Sequence, residues 1–340
     1  MRLIIISILT LVANSNIYAQ GCCSGGSGSP IAGGAASGVL QENQMEISIN
    51  HQYNASNTFY TGSEITEPLF DNLTSNYIFF RTDYGVSKKL TLSLASGYYL
   101  DKTKEAEYIA GNRTSSGYSD LIIFPRYSIY NKSANFKRTE IALGLGMKMP
   151  LGTHMDSTLT TAASAYAPGF PEKDQYSINA PLVQTTNGSN DLMFYSFIFR
   201  EYQKRKLRLF ISTLHVKKSF NSLGIKFGNY SSLGMFASKT FFRKWGLTTQ
   251  LKLEHIGKIQ SAENIDLLGN YGIDPISTGS NKAFFIPQIS YSQNGLTFFA
   301  TSEIPVYQYL HETQVGSQNQ FTIGINYRFL TKECAPEVKL

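Results

Sequence analysis

The stretch Arg138-Thr-Glu-Ile-Ala-Leu-Gly-Leu-Gly-Met-Lys-Met-Pro150 decides the fold. Ile141, Leu143, Leu145, Met147 and Met149 share one face, and Glu140, Ala142, Gly144, Gly146 and Lys148 share the other. That alternation has the period of a β-strand, not of a helix. One face is continuously apolar, while the opposite face is small, polar or charged. A strand with hydrocarbon on its outer face and a polar interior behind it reads this way.

Eleven further runs repeat the pattern: Gln44–Asn54, Asn76–Val86, Leu90–Tyr99, Ser119–Tyr130, Asp191–Arg200, Leu207–His215, Ser231–Lys239, Leu247–His255, Phe284–Ser292, Leu296–Pro305 and Gln320–Phe329. Only Asp191–Arg200, rich in aromatics, leaves its facing open. Each run is long enough to cross a bilayer as a tilted strand. Short links 87–89, 131–137, 203–206, 241–245 and 293–295 alternate with long links 57–75, 101–118, 151–190, 217–230, 257–282 and 306–319. The last short link holds Asn294-Gly295, the pair that supplies the positive φ angles of a tight hairpin. Twelve strands in that rhythm predict an all-β fold, a twelve-stranded antiparallel transmembrane β-barrel over 44–329. Short turns and both termini lie at the periplasmic end, with residues 330–340 as a tail, and the long loops lie outside. Loop 151–190, with Pro168, Pro171 and Pro181, is expected to fold over or into the external mouth. Tyr98, Tyr99, Tyr130, Phe241, Phe242, Trp245, Tyr307 and Tyr309 sit near strand ends, where interfacial girdles form.

Composition narrows the alternatives. Only 16% of residues are charged, against about 25% in soluble domains, and 22 Phe with 21 Tyr exclude a disordered chain. Beyond the first 20 residues no apolar run reaches the length of a membrane helix. The net charge is +6, but no aromatic-basic strand or basic helix accompanies it, so no nucleic-acid partner is expected. Gly144 and Gly146 precede no helix and make no phosphate loop; inward glycines of this kind leave room for bulky neighbours.

Met1-Arg2, the apolar Leu3 to Ala13 and Ala19 form an export signal over residues 1–19. Residues 20–43 read as a flexible Gly- and Cys-rich periplasmic lead. Cys22, Cys23 and Cys334 allow several outcomes: a Cys23–Cys334 disulfide, acylation of Cys22, free thiols, or a Cys22/Cys23 metal site that lacks a third ligand nearby.

Among the five histidines none makes an H-E-x-x-H, and no metal or other cofactor is expected. His51, His215 and His255 fall on outward faces, as do the Ser and His of twelve-stranded outer-membrane phospholipases. They lie on strands one, seven and nine, at the outer ends, where a His acts as a polar anchor. No catalytic residue is assigned and no enzyme is expected. The inward charges balance: Arg81, Arg126, Lys148, Arg208, Lys252 and Arg328 against Glu46, Asp83, Asp120, Glu140, Glu254 and Glu303. Buried charge is costly unless paired, so these residues are expected to brace the barrel, to line a polar constriction, or both.

Three stretches carry a family resemblance: Gly117-Tyr-Ser-Asp-Leu121 with Arg126-Tyr127, Leu143-Gly-Leu-Gly-Met-Lys-Met-Pro-Leu-Gly152, and Glu303-Ile-Pro-Val-Tyr-Gln308. Together they are similar to outer-membrane transporters of the phenol-degradation MetA-like group, over roughly residues 76–329. The Cys-rich lead and the long loop 151–190 depart from that pattern. The resemblance implies a channel or transporter in the outer membrane of a Gram-negative bacterium, and it supplies no catalytic residues. The expected function is passive diffusion of small solutes through a barrel surrounded by outer-membrane lipid. The rival is a non-conducting structural or adhesion barrel that binds partners through its loops or metal through its Cys pair.

Overall fold

The computed structural model describes residues 38–105, 112–161, 173–271 and 273–332. The export signal and Cys22, Cys23 and Cys334 lie outside the described residues. Twelve long strands form the wall: β1 (Gln44–Ser56), β2 (Asn72–Gly85), β3 (Leu90–Glu105), β4 (Asp120–Ala134), β5 (Lys137–Pro150), β6 (Asp191–Tyr202), β7 (Leu207–Lys217), β8 (Tyr230–Phe241), β9 (Trp245–Ile256), β10 (Ser280–Gln293), β11 (Leu296–Val315) and β12 (Gln320–Leu330). Each pairs antiparallel with its sequence neighbours, and β1 pairs with β12 from Gln44↔Leu330 to Tyr53↔Phe321, which closes the ring. Closure leaves the barrel wall without an exposed strand edge.

Burial is inverted relative to a soluble protein. Outward Ile49, Leu145 and Ile323 are 47%, 56% and 54% exposed, whereas inward Asn50 and Asp83 are each 1% exposed. A continuous exposed apolar belt of this kind is a lipid-facing surface. The short turns are tight hairpins: Asn135-Phe136, Phe242-Arg243 and Asn294-Gly295 all hold positive φ at both central positions. That geometry matches the twist of paired strands.

The strands run further outward than the sequence pattern suggests. β11 is 20 residues long, so the link expected at 306–319 is strand as far as Val315. The reason is a bulge. Phe284 pairs with Pro305 and Ala283 with Tyr307, leaving Val306 without a partner. Pro305 has no N–H to give to the ladder. The inward parity therefore passes from Phe299, Thr301 and Glu303 to Gln308 and Leu310, which ends the apparent alternation. The outer part of β11 pairs with Phe59–Gly62 of the first loop.

Loop 151–190 turns into the external mouth along its described second half. Val183, Gln184, Thr185 and Thr186 are buried, the Lys102 ammonium donates to the Gln184 carbonyl at 2.9 Å, and the Thr186 hydroxyl donates to Asp120. Leu182 packs on the Phe59, Phe70, Leu73 and Val315 cluster. At the opposite end the chain before β1 also enters the barrel. The Val39 N–H donates to Glu140 Oε1 at 2.8 Å, the Leu40 N–H to Thr91 Oγ1 at 2.8 Å, and Arg126 Nη1 to the Gly38 carbonyl at 3.0 Å. Leu40 is buried there, and the Gly85 position has no room for a Cβ because the Gln41 carbonyl lies against it.

Candidate functional site

The lumen has two unlike walls. From β2 to β8, Tyr77, Phe79, Tyr99, Ile122, Phe124, Tyr195, Phe197 and Phe210 form one buried apolar cluster with Met193, Leu214 and Val216. Their rings contact in sequence: Tyr77 with Tyr99, Phe124 with Tyr195, Phe197 with Phe210, and Phe210 with Phe236. Gly144 and Gly146 make the space for Phe124, since a Cβ at either position would come within 2.7 and 2.4 Å of that ring. The inward face is thus not simply small and polar. Asp191–Arg200, whose facing the sequence leaves open, places Met193, Tyr195 and Phe197 inward.

The other wall, from β9 through β12 to β1, carries Gln250, Lys252, Glu254, Gln288, Thr301, Glu303, Thr322, Asn326, Glu46, Ser48, Asn50 and Gln52, interrupted by Phe284, Ile286 and Phe299. Lys252 binds Glu254 at 3.4 Å and also Glu303, and the Tyr230 hydroxyl donates to Glu254 Oε2 at 3.2 Å. Ser48 Oγ, Asn50 Nδ2, Asn54 Oδ1 and Glu254 Oε1 are buried without a hydrogen-bond partner among the described residues.

The seam near the periplasmic end is ionic. Register sets the Glu46 and Asp83 carboxylates opposite each other. Arg81 lies between them, 3.1 Å from Glu46 and 2.8 Å from Asp83. Arg126 reaches Asp83 at 2.8 Å, Arg328 Nε reaches Glu46 at 2.7 Å, and Arg138 reaches Glu140 at 2.7 Å. Arg208 pairs with Glu201 at 3.1 Å on the exposed rim. Two opposed carboxylates in a buried site would repel; the planar guanidinium of Arg81 donates to both and holds the seam.

A second charged group lies at the external side of the lumen. Lys148 lies 2.8 Å from Asp120 and 3.6 Å from Asp191, and Lys218 lies 2.7 Å from Asp191. Burial, helped by the charge on Lys148 and opposed by Asp191, holds the Lys218 ammonium down at about 8. Above this group a cavity of about 540 Å³ opens outward between apolar walls.

The inward charges expected from sequence therefore gather into three groups, with Arg208 apart on the rim. Sequence reasoning omits Asp191, Lys218 and Lys282. Asp191 opens the run of uncertain facing, and Lys218 lies one residue past β7. Lys282 sits in a stretch read as loop; carrying the alternation two residues back from Phe284 would have placed it inward.

On the lipid-facing side, His215 Nδ1 lies 2.8 Å from Ser231 Oγ, and His255 Nδ1 lies 2.7 Å from Asn281 Oδ1. His51 is a register neighbour of Ile78 and Ile323, far from both pairs. Among the described residues, no group of His, Cys, Asp and Glu could hold a metal ion.

Fold and lumen define a closed twelve-stranded antiparallel β-barrel with a lipid-facing belt, the fold of outer-membrane barrels. A solved structure similar to it is the COG4313 outer-membrane channel from Pseudomonas putida F1. It has a TM-score of 0.61 at 10% identity, covering 87% of this chain and 99% of that one. Two looser likenesses are the KdgM porin in complex with disordered oligogalacturonate (TM-score 0.39, 9% identity, 84% and 99% covered) and the translocator domain of autotransporter NalP from Neisseria meningitidis (0.41, 11%, 84% and 88%). No family model and no curated protein sequence matches the chain, so the likeness to the MetA-like group rests on its short motifs.

Proposed function

We propose that the protein is a non-enzymatic channel in the outer membrane of a Gram-negative bacterium, passing small solutes by passive diffusion. The observation that carries this reading is the polar wall from β9 to β1. Buried polar groups are ordinarily satisfied, and a row of inward side chains that keeps polar atoms unpaired among the described residues, from Ser48 Oγ and Asn50 Nδ2 to Glu254 Oε1, fits an aqueous path along that side. The external cavity leads into the lumen beside it, and residues 38–41 narrow the periplasmic exit.

The lipid-facing Ser231 and His215 give little support to hydrolysis. His215 meets the hydroxyl through Nδ1, and the backbone N–H groups around Ser231 are used in the β-ladders to β7 and β9. No pair of free donors remains there for a developing oxyanion.

The test is swelling of proteoliposomes in graded sugars and amino acids. The proposal expects size-dependent swelling by the folded protein and none by empty vesicles. Absence of swelling for every solute, from barrels that still shift on a gel when heated, would favour a structural or adhesion role.

A further inference from the structure

We infer that the external cavity is a binding site for an organic monoanion with an apolar body, such as an aryl or short alkyl carboxylate, and that Lys282 holds its charge. The inference rests on the channel reading, because it names the class of solute that the mouth would capture.

Lys282 lines the cavity and is only 5% exposed. Among the described residues its ammonium has no ion pair and no hydrogen-bond acceptor. Its register neighbours are Glu254 and Gln308, and neither comes within pairing distance of the ammonium. Glu254 takes the Tyr230 hydroxyl and Lys252, while the Gln308 amide donates to the Ser317 carbonyl at 2.7 Å and accepts from the Ser317 N–H. A buried ammonium is costly unless something neutralises it.

The remaining charges on the cavity settle the sign and number. Lys148 and Lys218 are matched by Asp120 and Asp191. Asp274 and Glu312 lie at the cavity edge; Asp274 already accepts from the Ser277 hydroxyl and the Ile276 N–H, and Glu312 is exposed. Water screens charges in such positions. Among the charges that line the cavity, Lys282 is the interior one left without a counter-charge in the described residues, so the site suits a single negative charge.

The body of the ligand follows from the walls. Phe70, Met193, Leu214, Val216, Phe227 and Ile256 surround the space. A cavity of about 540 Å³ falls in the range that encloses a small organic ligand, with an apolar lining and few polar anchors. A small inorganic anion would leave the apolar walls uncovered.

Calorimetric titration of the purified barrel with cinnamate and with neutral cinnamamide at pH 7 tests the inference. The same preparations are recorded in planar bilayers in KCl. Cinnamate is expected to bind, with cinnamamide about tenfold weaker or worse, and Lys282→Met should cost cinnamate about tenfold while leaving cinnamamide within about twofold. Lys282→Arg, which keeps the charge, should retain most of the affinity. Heat-modifiable migration on a gel shows that each variant is folded, and should Lys282→Met fail to fold, the Arg variant and the amide comparison still decide. Equal binding of acid and amide, no binding of cinnamate, or an unchanged affinity in folded Lys282→Met would overturn the inference. Conductance steps persisting in those cases leave the channel reading standing. Cinnamate binding to a barrel that never conducts would overturn the channel reading and leave a monoanion site on a closed barrel.

Discussion

The aromatic wall of the lumen and the polar wall facing it are built from the same strand periodicity, yet they do different work. Between β2 and β8 the inward positions interlock as rings set against glycines, and the wall is packed like the core of a soluble protein. Between β9 and β1 the inward positions carry amides, hydroxyls and charges, and Ser48, Asn50 and Glu254 each keep a polar atom unpaired among the described residues. The first wall fills space and supplies stability, whereas the second, on the channel reading, leaves a path. A ring of twelve strands is narrow enough for side chains to occlude it. Confining the bulk to one side therefore leaves room on the other.

The largest expected effect of breaking this division lies at the ionic seam joining the two walls. Arg81→Met leaves Asp83 facing Glu46 without the guanidinium between them. The cost of breaking such a buried pair is about 3–5 kcal/mol, read as a lowered denaturant midpoint of the detergent-folded barrel. On the aromatic wall, Phe124→Ala should cost about 3 kcal/mol by leaving a cavity beside Gly144 and Gly146. On the polar wall, Asn50→Leu should change stability by no more than about 1 kcal/mol while lowering conductance. A stability loss for Asn50→Leu as large as that for Phe124→Ala would erase the distinction.

A smaller effect is set by pH. Lys218 is held at about 8, below the ordinary lysine value of 10.5, so raising the pH from 7 to 9 removes one positive charge from the external side of the lumen. The unfolded chain keeps that proton up to its ordinary value, so this group makes the folded state gain stability as pH rises from about 8 to 10.5. His154, near this mouth, is held below its ordinary 6.5 by burial, away from this window. The reversal potential in a KCl gradient should shift toward cation preference between pH 7 and 9, and Lys218→Met should abolish the shift. An identical shift in the variant would assign it to another group.

Much of this architecture is legible in the sequence because lipid outside and polarity inside impose one rule on every strand. Eleven of the twelve strands follow from that alternation, and so does the facing of residues such as Ile49, Leu145 and Ile323. The pattern fades where the physics changes. Pro305 inserts a bulge that reverses parity, so the outer part of β11 reads as loop. Asp191–Arg200 is apolar on both faces, because one side meets lipid and the other meets rings from β4 and β7; period two cannot separate them. Residues 38–41 carry no periodic signal, since their place in the barrel is set by hydrogen bonds from two backbone N–H groups and one carbonyl. Lys282 is hidden by the same limit: a single charged residue at the end of a strand resembles the loop that follows.

The central claim is that solute passes along the polar wall and is narrowed at the periplasmic exit by residues 38–41. Single-channel recording in planar bilayers, comparing the mature protein with a form lacking residues 20–41, tests it most directly. The account predicts reproducible conductance steps for the mature protein and larger steps for the truncated one, because the contacts of Gly38, Val39 and Leu40 with Arg126, Glu140 and Thr91 are gone. An absence of steps from both forms, each verified as a folded barrel, would contradict it.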